Sequence, residues 1–145
     1  MVVYADTSFL VSLYGRDASS EVAQRLAAAL KGAFAFTSLH RHEARNALRL
    51  AIFRKDITPE ECETVIAAMD EDERAGVLVN SPVAWAEVFE QAEALSAAHT
   101  RKLGTRAMDV LHVAAAAVLG IGEFLTFDTR QKALARKSGM RVRPE

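Results

Sequence analysis

Val3-Tyr4-Ala5-Asp6-Thr7-Ser8-Phe9-Leu10 changes its period in the middle: β-prone and apolar through Ala5, then an acid, then hydroxyl residues that lead into helical spacing. It reads as a strand over 2–5, an acid at its carboxyl end and a helix over 8–14. The same alternation recurs along the chain. Further strands are expected at 34–37, 77–80, 123–127 and, edge-like, 140–143, and helices at 21–31, 38–55, 58–75, 83–103, 106–119 and 130–138. Thr58-Pro59 supplies an N-cap and a first-turn proline, and Gly76, Gly104 and Gly120 stand as helix stops. Strands separated by helices imply right-handed crossovers and a parallel sheet of about five strands covered on both faces, an α/β fold. In such sheets functional groups gather beyond the carboxyl ends of the strands.

A chain of 145 residues, half apolar and about a quarter charged, buries a real core and excludes whole-chain disorder. Without repeats or a Pro/Gly-rich linker it reads as one domain over 1–145. Cys62 is the single cysteine, so neither an internal disulfide nor a zinc set is available, which suits a reducing cytoplasm. Asp6 interrupts the N-terminal apolar run, which argues against a secretory signal. The apolar stretch 110–121 contains His112 and is too short for a bilayer, so no membrane is expected. A net charge of −1 means that any nucleic-acid binding must come from a local patch.

Four acids stand in positions that need explaining. Asp6 and Asp128 each follow a strand, where an Asp either caps the next helix or serves a site. Glu43 lies four residues after Leu39 and four before Ala47, which reads as the inward stripe of its helix; Asp109 opens an apolar helix and shares a face with His112, Val113 and Ala116. A buried carboxylate needs a proton, a cation or an arginine such as Arg45 or Arg106. If the four converge, their mutual repulsion is relieved by raised pKa values or by a divalent cation; all-oxygen ligands favour a hard one, Mg²⁺ or Mn²⁺, and such an ion suits phosphodiester chemistry. An aspartyl phosphatase wants an acid where Ser8 stands, and a receiver domain wants one where Asn80 stands.

The Asp6 block, Thr37-Ser38 with Glu43, Asn46 and Ala47, the run Thr105-Arg106-Ala107-Met108-Asp109-Val110-Leu111-His112-Val113-Ala114, and Phe124-Leu125-Thr126-Phe127-Asp128 with Arg130-Gln131 and Leu134-Ala135 together resemble the PIN-domain family, in the right order and over nearly the whole chain. The resemblance implies a three-layer α/β/α sandwich and a metal-dependent endoribonuclease acting on single-stranded RNA. The compact size is similar to VapC-type toxins, which implies a cognate antitoxin partner and a homodimer. Carried over residue by residue, Asp6, Glu43, Asp109 and Asp128 are the catalytic metal ligands, and Thr7 or Ser8, with Thr126, hold them by hydrogen bonds. One departure stands out: Thr129, Arg130 and Gln131 follow Asp128 where many relatives carry a further acid or an Asp-Phe pair, so Asp128 binds the ion directly or through water. The alternative is a non-catalytic relative that binds RNA or a partner.

Arg41, Arg45 and Arg49 recur every four residues on the Glu43 helix; Arg101, Lys102 and Arg106 precede Asp109, and Arg130 and Lys132 follow Asp128. These cations either attract RNA phosphates, with Arg41, Arg45, Arg106 and Arg130 as the contacts, or make ion pairs on solvated helix faces. His112 reads as a core histidine, and ligation by His40 or His42 would break the all-oxygen set. Trp85, Phe89 and Leu95 read as core or interface, and the acidic run 70–73 as a helix end facing water.

Overall fold

The computed structural model describes residues 1–145. Its first half contains β1 (Val2–Ala5), α1 (Thr7–Tyr14), α2 (Ser20–Leu30), β2 (Ala33–Phe36), α3 (Ser38–Phe53), α4 (Pro59–Ala75) and β3 (Leu78–Asn80). There follow α5 (Trp85–Leu95), a π-helical segment (Ser96–Thr100), α6 (Arg101–Leu103), α7 (Ala107–Val118), β4 (Glu123–Leu125), α8 (Thr129–Lys137) and β5 (Arg141–Arg143). The sheet has five strands in the order β3-β2-β1-β4-β5, and the pairs β2–β3, β1–β4 and β4–β5 are parallel, as the alternation of periods predicts. No helix is long and apolar enough to cross a membrane. Contacts divide the chain into two units, 7–81 with Met1 and 2–6 with 82–145.

In the first unit Phe34, Ala35 and Phe36 of β2 lie in register with Leu78, Val79 and Asn80 of β3. Phe9 of α1 packs on Phe34 with ring centroids 6.4 Å apart. Two helices begin with capping boxes: Thr58 with Glu61 on α4, and Thr37 with His40 on α3. The second is unusual because a fully buried imidazole takes the place of Glu or Gln: the Thr37 N–H donates to His40 Nδ1 at 3.0 Å. His40 is thereby committed to the fold. The inward stripe of α3 is His40, Ala44 and Leu48. The expected stripe of Leu39, Glu43 and Ala47 is out of phase by one residue: Ala47 is exposed and Glu43 half-buried, because the cap at Thr37 and His40 sets the rotation of the helix.

In the second unit Tyr4 and Ala5 of β1 align with Phe124 and Leu125 of β4, which in turn pairs with β5. Helix α7 is buried continuously from Val110 to Ala116, as its apolar composition requires. Tyr4 stacks on Phe124, with centroids 5.4 Å apart, and its hydroxyl meets His112 Nδ1 at 2.7 Å, so β1, β4 and α7 are locked around one polar contact. The helix expected over 83–103 starts late, at Trp85, and changes to π winding over Ser96–Thr100 before it ends at Gly104, φ +68°. Leu95 is core, whereas Phe89 is 61% exposed.

Candidate active site

The register of β1 against β4 decides where the first two acids emerge. Ala5 opposes Leu125, and the Asp6 N–H continues the ladder by donating to the Leu125 carbonyl at 3.0 Å. Asp6 is buried, and Thr126 Oγ1 lies 2.8 Å from its Oδ2. The same hydroxyl lies 2.8 Å from Gln131 Oε1 and accepts the Asp128 N–H at 3.1 Å. It has one proton, so Asp6 and Gln131 share it. Gln131, fully buried on α8, also donates from Nε2 to the Asp109 carbonyl at 3.2 Å and so ties α8 to the first turn of α7. The sequence signal for Gln131 is a polar residue on the buried stripe with Leu134 and Ala135.

Asp128 divides its two oxygens. Oδ1 caps α8, accepting the Arg130 and Gln131 N–H groups at 2.9 and 3.0 Å. Oδ2 has Arg106 Nη2 at 3.9 Å, and Arg106 Nε stands 3.8 Å from Asp109 Oδ2. Both separations exceed a hydrogen bond, and the Arg106 side chain is 82% exposed, so its attraction is screened. The Asp109 carboxyl is accordingly pushed above the usual carboxylate range, first by burial and then by repulsion from Asp128 and Asp6, with Arg106 and His112 opposing. Asp109 therefore lies within electrostatic reach of two other carboxylates, with Arg106 3.8 Å away. The donors are all oxygen, which fits a hard ion. No three Asp, Glu, His or Cys side chains already form a ready cage; Mg²⁺ takes one or two carboxylates directly and keeps water on its other positions.

The remaining expected residues belong to the other unit. Thr7, next in the chain after Asp6, donates its hydroxyl to Glu43 Oε1 at 2.8 Å and so orients the carboxylate. Ser8 is exposed. Arg45 has a different task from phosphate contact: its Nη2 meets Asp70 Oδ1 at 2.6 Å and its Nη1 is buried without a partner. Arg41 pairs with Glu73, lies 4.0 Å from Asp70 and sits over the Phe36 ring, with its side chain 46% exposed. The α4 acids 70–73, expected to face water, are thus largely engaged. Arg130 reaches the Gly104 carbonyl at 3.4 Å and is otherwise exposed.

A model of the PIN domain family matches residues 3–137. No curated protein matches the chain at a significant level.

Proposed function

The chain belongs to the PIN-domain family, and from that premise we propose that it is a metal-dependent endoribonuclease, the toxin of a toxin–antitoxin pair. PIN domains are generally nucleases. The observation that carries the reading is the gathering of Asp6, Asp109 and Asp128 around Thr126 and Gln131, where burial and its acidic neighbours push the Asp109 carboxyl up although Arg106 stands 3.8 Å away. Carboxylates that repel one another in this way suit a hard divalent ion.

Asp6, Asp109 and Asp128 would hold Mg²⁺ or Mn²⁺, and the family resemblance alone assigns Glu43 as a further ligand. When bound, the ion would offset charge on the scissile phosphate and make a water more acidic. The protein's own part is orientation. The Thr126 hydroxyl fixes the Asp6 carboxylate, the α8 amides fix Asp128 by one oxygen and leave the other, and Thr7 fixes Glu43. Arg106 and Arg130, exposed beside the acids, would meet RNA phosphates, with Arg41 a further contact through its exposed side and Arg45 retained inside. A small antitoxin, a homodimer and a cytoplasmic setting complete the proposal by family resemblance.

The direct test is cleavage of single-stranded RNA with Mg²⁺ or Mn²⁺, with and without a chelator, by the wild type and by Asp6→Asn and Asp109→Asn. Cleavage should require the ion and collapse in both variants while their circular dichroism is preserved. Activity that survives chelation, or survives both substitutions, removes the reading; binding of RNA without any cleavage would favour the non-catalytic alternative.

A further inference from the structure

Helix α3 has one face that neither its own unit nor the α4 acids occupy. His40, Ala44 and Leu48 are buried, and Arg41 and Arg45 turn to Asp70 and Glu73. Glu43, Asn46, Leu50 and Phe53 follow one another at steps of three and four, the spacing of a single helical stripe. Phe53 is 82% exposed and Leu50 39%, a large apolar surface left in water at the end of a helix. Arg49 and Arg54, both exposed, flank it, and neither has an ion pair: of the three arginines spaced by four, only Arg49 finds no acid on α4. Lys55 follows, and no acid intervenes from Ala44 to Lys55, so a chain of net charge −1 carries a strongly cationic segment here.

We infer that this face is a track for single-stranded RNA, on which a base stacks against Phe53 while Arg49 and Arg54 take the adjoining phosphates. The inference rests on the nuclease reading above, because the stripe begins at Glu43, one of the proposed ligands. From Glu43 to Phe53 the helix advances about 15 Å at 1.5 Å per residue, the span of a few nucleotides. Aromatic stacking suits such a track because every base has a π-face, and guanidiniums beside the ring hold the backbone without reading sequence. An acidic protein segment would also attract the arginines, but the continuation of the stripe from Glu43 favours the substrate strand.

The experiment compares wild type, Phe53→Ala, Phe53→Trp and the double variant Arg49→Gln/Arg54→Gln, none of which touches the acid cluster. Fluorescence anisotropy with a labelled single-stranded RNA longer than the helix should show Kd raised about tenfold by Phe53→Ala and restored by Phe53→Trp. The slope of log K against log salt should shrink by about 1.4 in the double variant, two phosphate contacts on a single strand. A short oligonucleotide spanning only the scissile bond should be cleaved with wild-type kcat/KM by all four. If the wild type binds and cleaves while the variants match it in Kd and salt slope, the track alone is overturned. If Phe53→Ala changes the oligomeric state and leaves RNA affinity intact, the face is a protein interface and the track is again overturned. A wild type that neither binds nor cleaves RNA overturns the nuclease reading and the track together.

Discussion

Two acidic regions of this molecule are built on opposite terms. On α4, Asp70 receives Arg45, Glu73 receives Arg41, Glu71 pairs with Arg74 at 2.8 Å and Asp72 accepts the Tyr14 hydroxyl. In the other region backbone amides orient Asp128, the Thr126 hydroxyl orients Asp6, and Arg106 stands 3.8 and 3.9 Å from Asp109 and Asp128. Acids that hold helices together are matched by side chains. Of the acids proposed for chemistry, Asp6 and Asp128 are oriented by neutral donors, and Asp109 is pushed up by burial and by its acidic neighbours.

The largest expected effect separates the two regions by sign. Asp109→Asn should lower RNA cleavage by at least about 10²-fold, the scale of losing one well-placed electrostatic group. In the absence of divalent ions it should raise the melting temperature, because the buried charge and its repulsion from Asp128 and Asp6 are removed. The pH dependence fixes the cause. A carboxyl whose folded pKa is raised burdens the fold only while ionised, so the advantage of Asp109→Asn over wild type should be present at pH 7. It should vanish as the pH falls through the raised value toward about 4, where the unfolded group also takes its proton. A variant that melts below wild type at neutral pH would break the comparison.

Thr126→Val comes next, because it keeps the shape of the side chain and removes the proton shared by Asp6 and Gln131. Metal affinity measured by Mn²⁺ titration should weaken about 10–100-fold, with cleavage following it. Loss of cleavage without loss of Mn²⁺ affinity would place the hydroxyl's role elsewhere.

The legibility of the chain followed the same division. Backbone periods and caps are local, so the strands, Thr58-Pro59 and the stop at Gly76, φ +79°, were readable from spacing. Glu43 was picked out for a wrong reason, the out-of-phase stripe on α3, because capping by a histidine carries no familiar pattern. Gln131 stands in the last matching block without a role of its own, because a glutamine is ordinarily a surface residue, and only its pairing with Thr126 and the Asp109 carbonyl makes it part of the cluster. The arginines show the limit most plainly: nothing near Arg41 and Arg45 in the sequence announces the α4 acids that engage them, at separations of 32 and 25 positions.

On the compensated side, Tyr14→Phe removes the donor to Asp72 and should cost about 1–3 kcal/mol in denaturant unfolding, since it leaves a part-buried carboxylate without that bond. The Tyr14 phenol is held far above its ordinary value, by burial first and then by Asp72. Its contribution is therefore complete below about pH 10 and declines as the pH rises beyond it. The stability difference between wild type and Tyr14→Phe should be flat from pH 7 to about 9 and narrow above 10. A difference that widens there would refute the assignment.

Arg41→Ala should have the smallest effect, less than about 1 kcal/mol, even though the arginine meets Glu73, approaches Asp70 and covers the Phe36 ring. Its side chain is 46% exposed, so water competes for both carboxylates, and Asp70 keeps Arg45 after the substitution. What remains of the loss should shrink further in high salt, which screens an exposed pair but leaves the Tyr14–Asp72 hydrogen bond nearly untouched. If the Arg41→Ala loss instead exceeded that of Tyr14→Phe and ignored salt, the guanidinium would be acting through its packing on Phe36 rather than through charge. The α4 acids would then be matched less completely than their ion pairs suggest, and the contrast with the Asp109 cluster would narrow to a difference in burial.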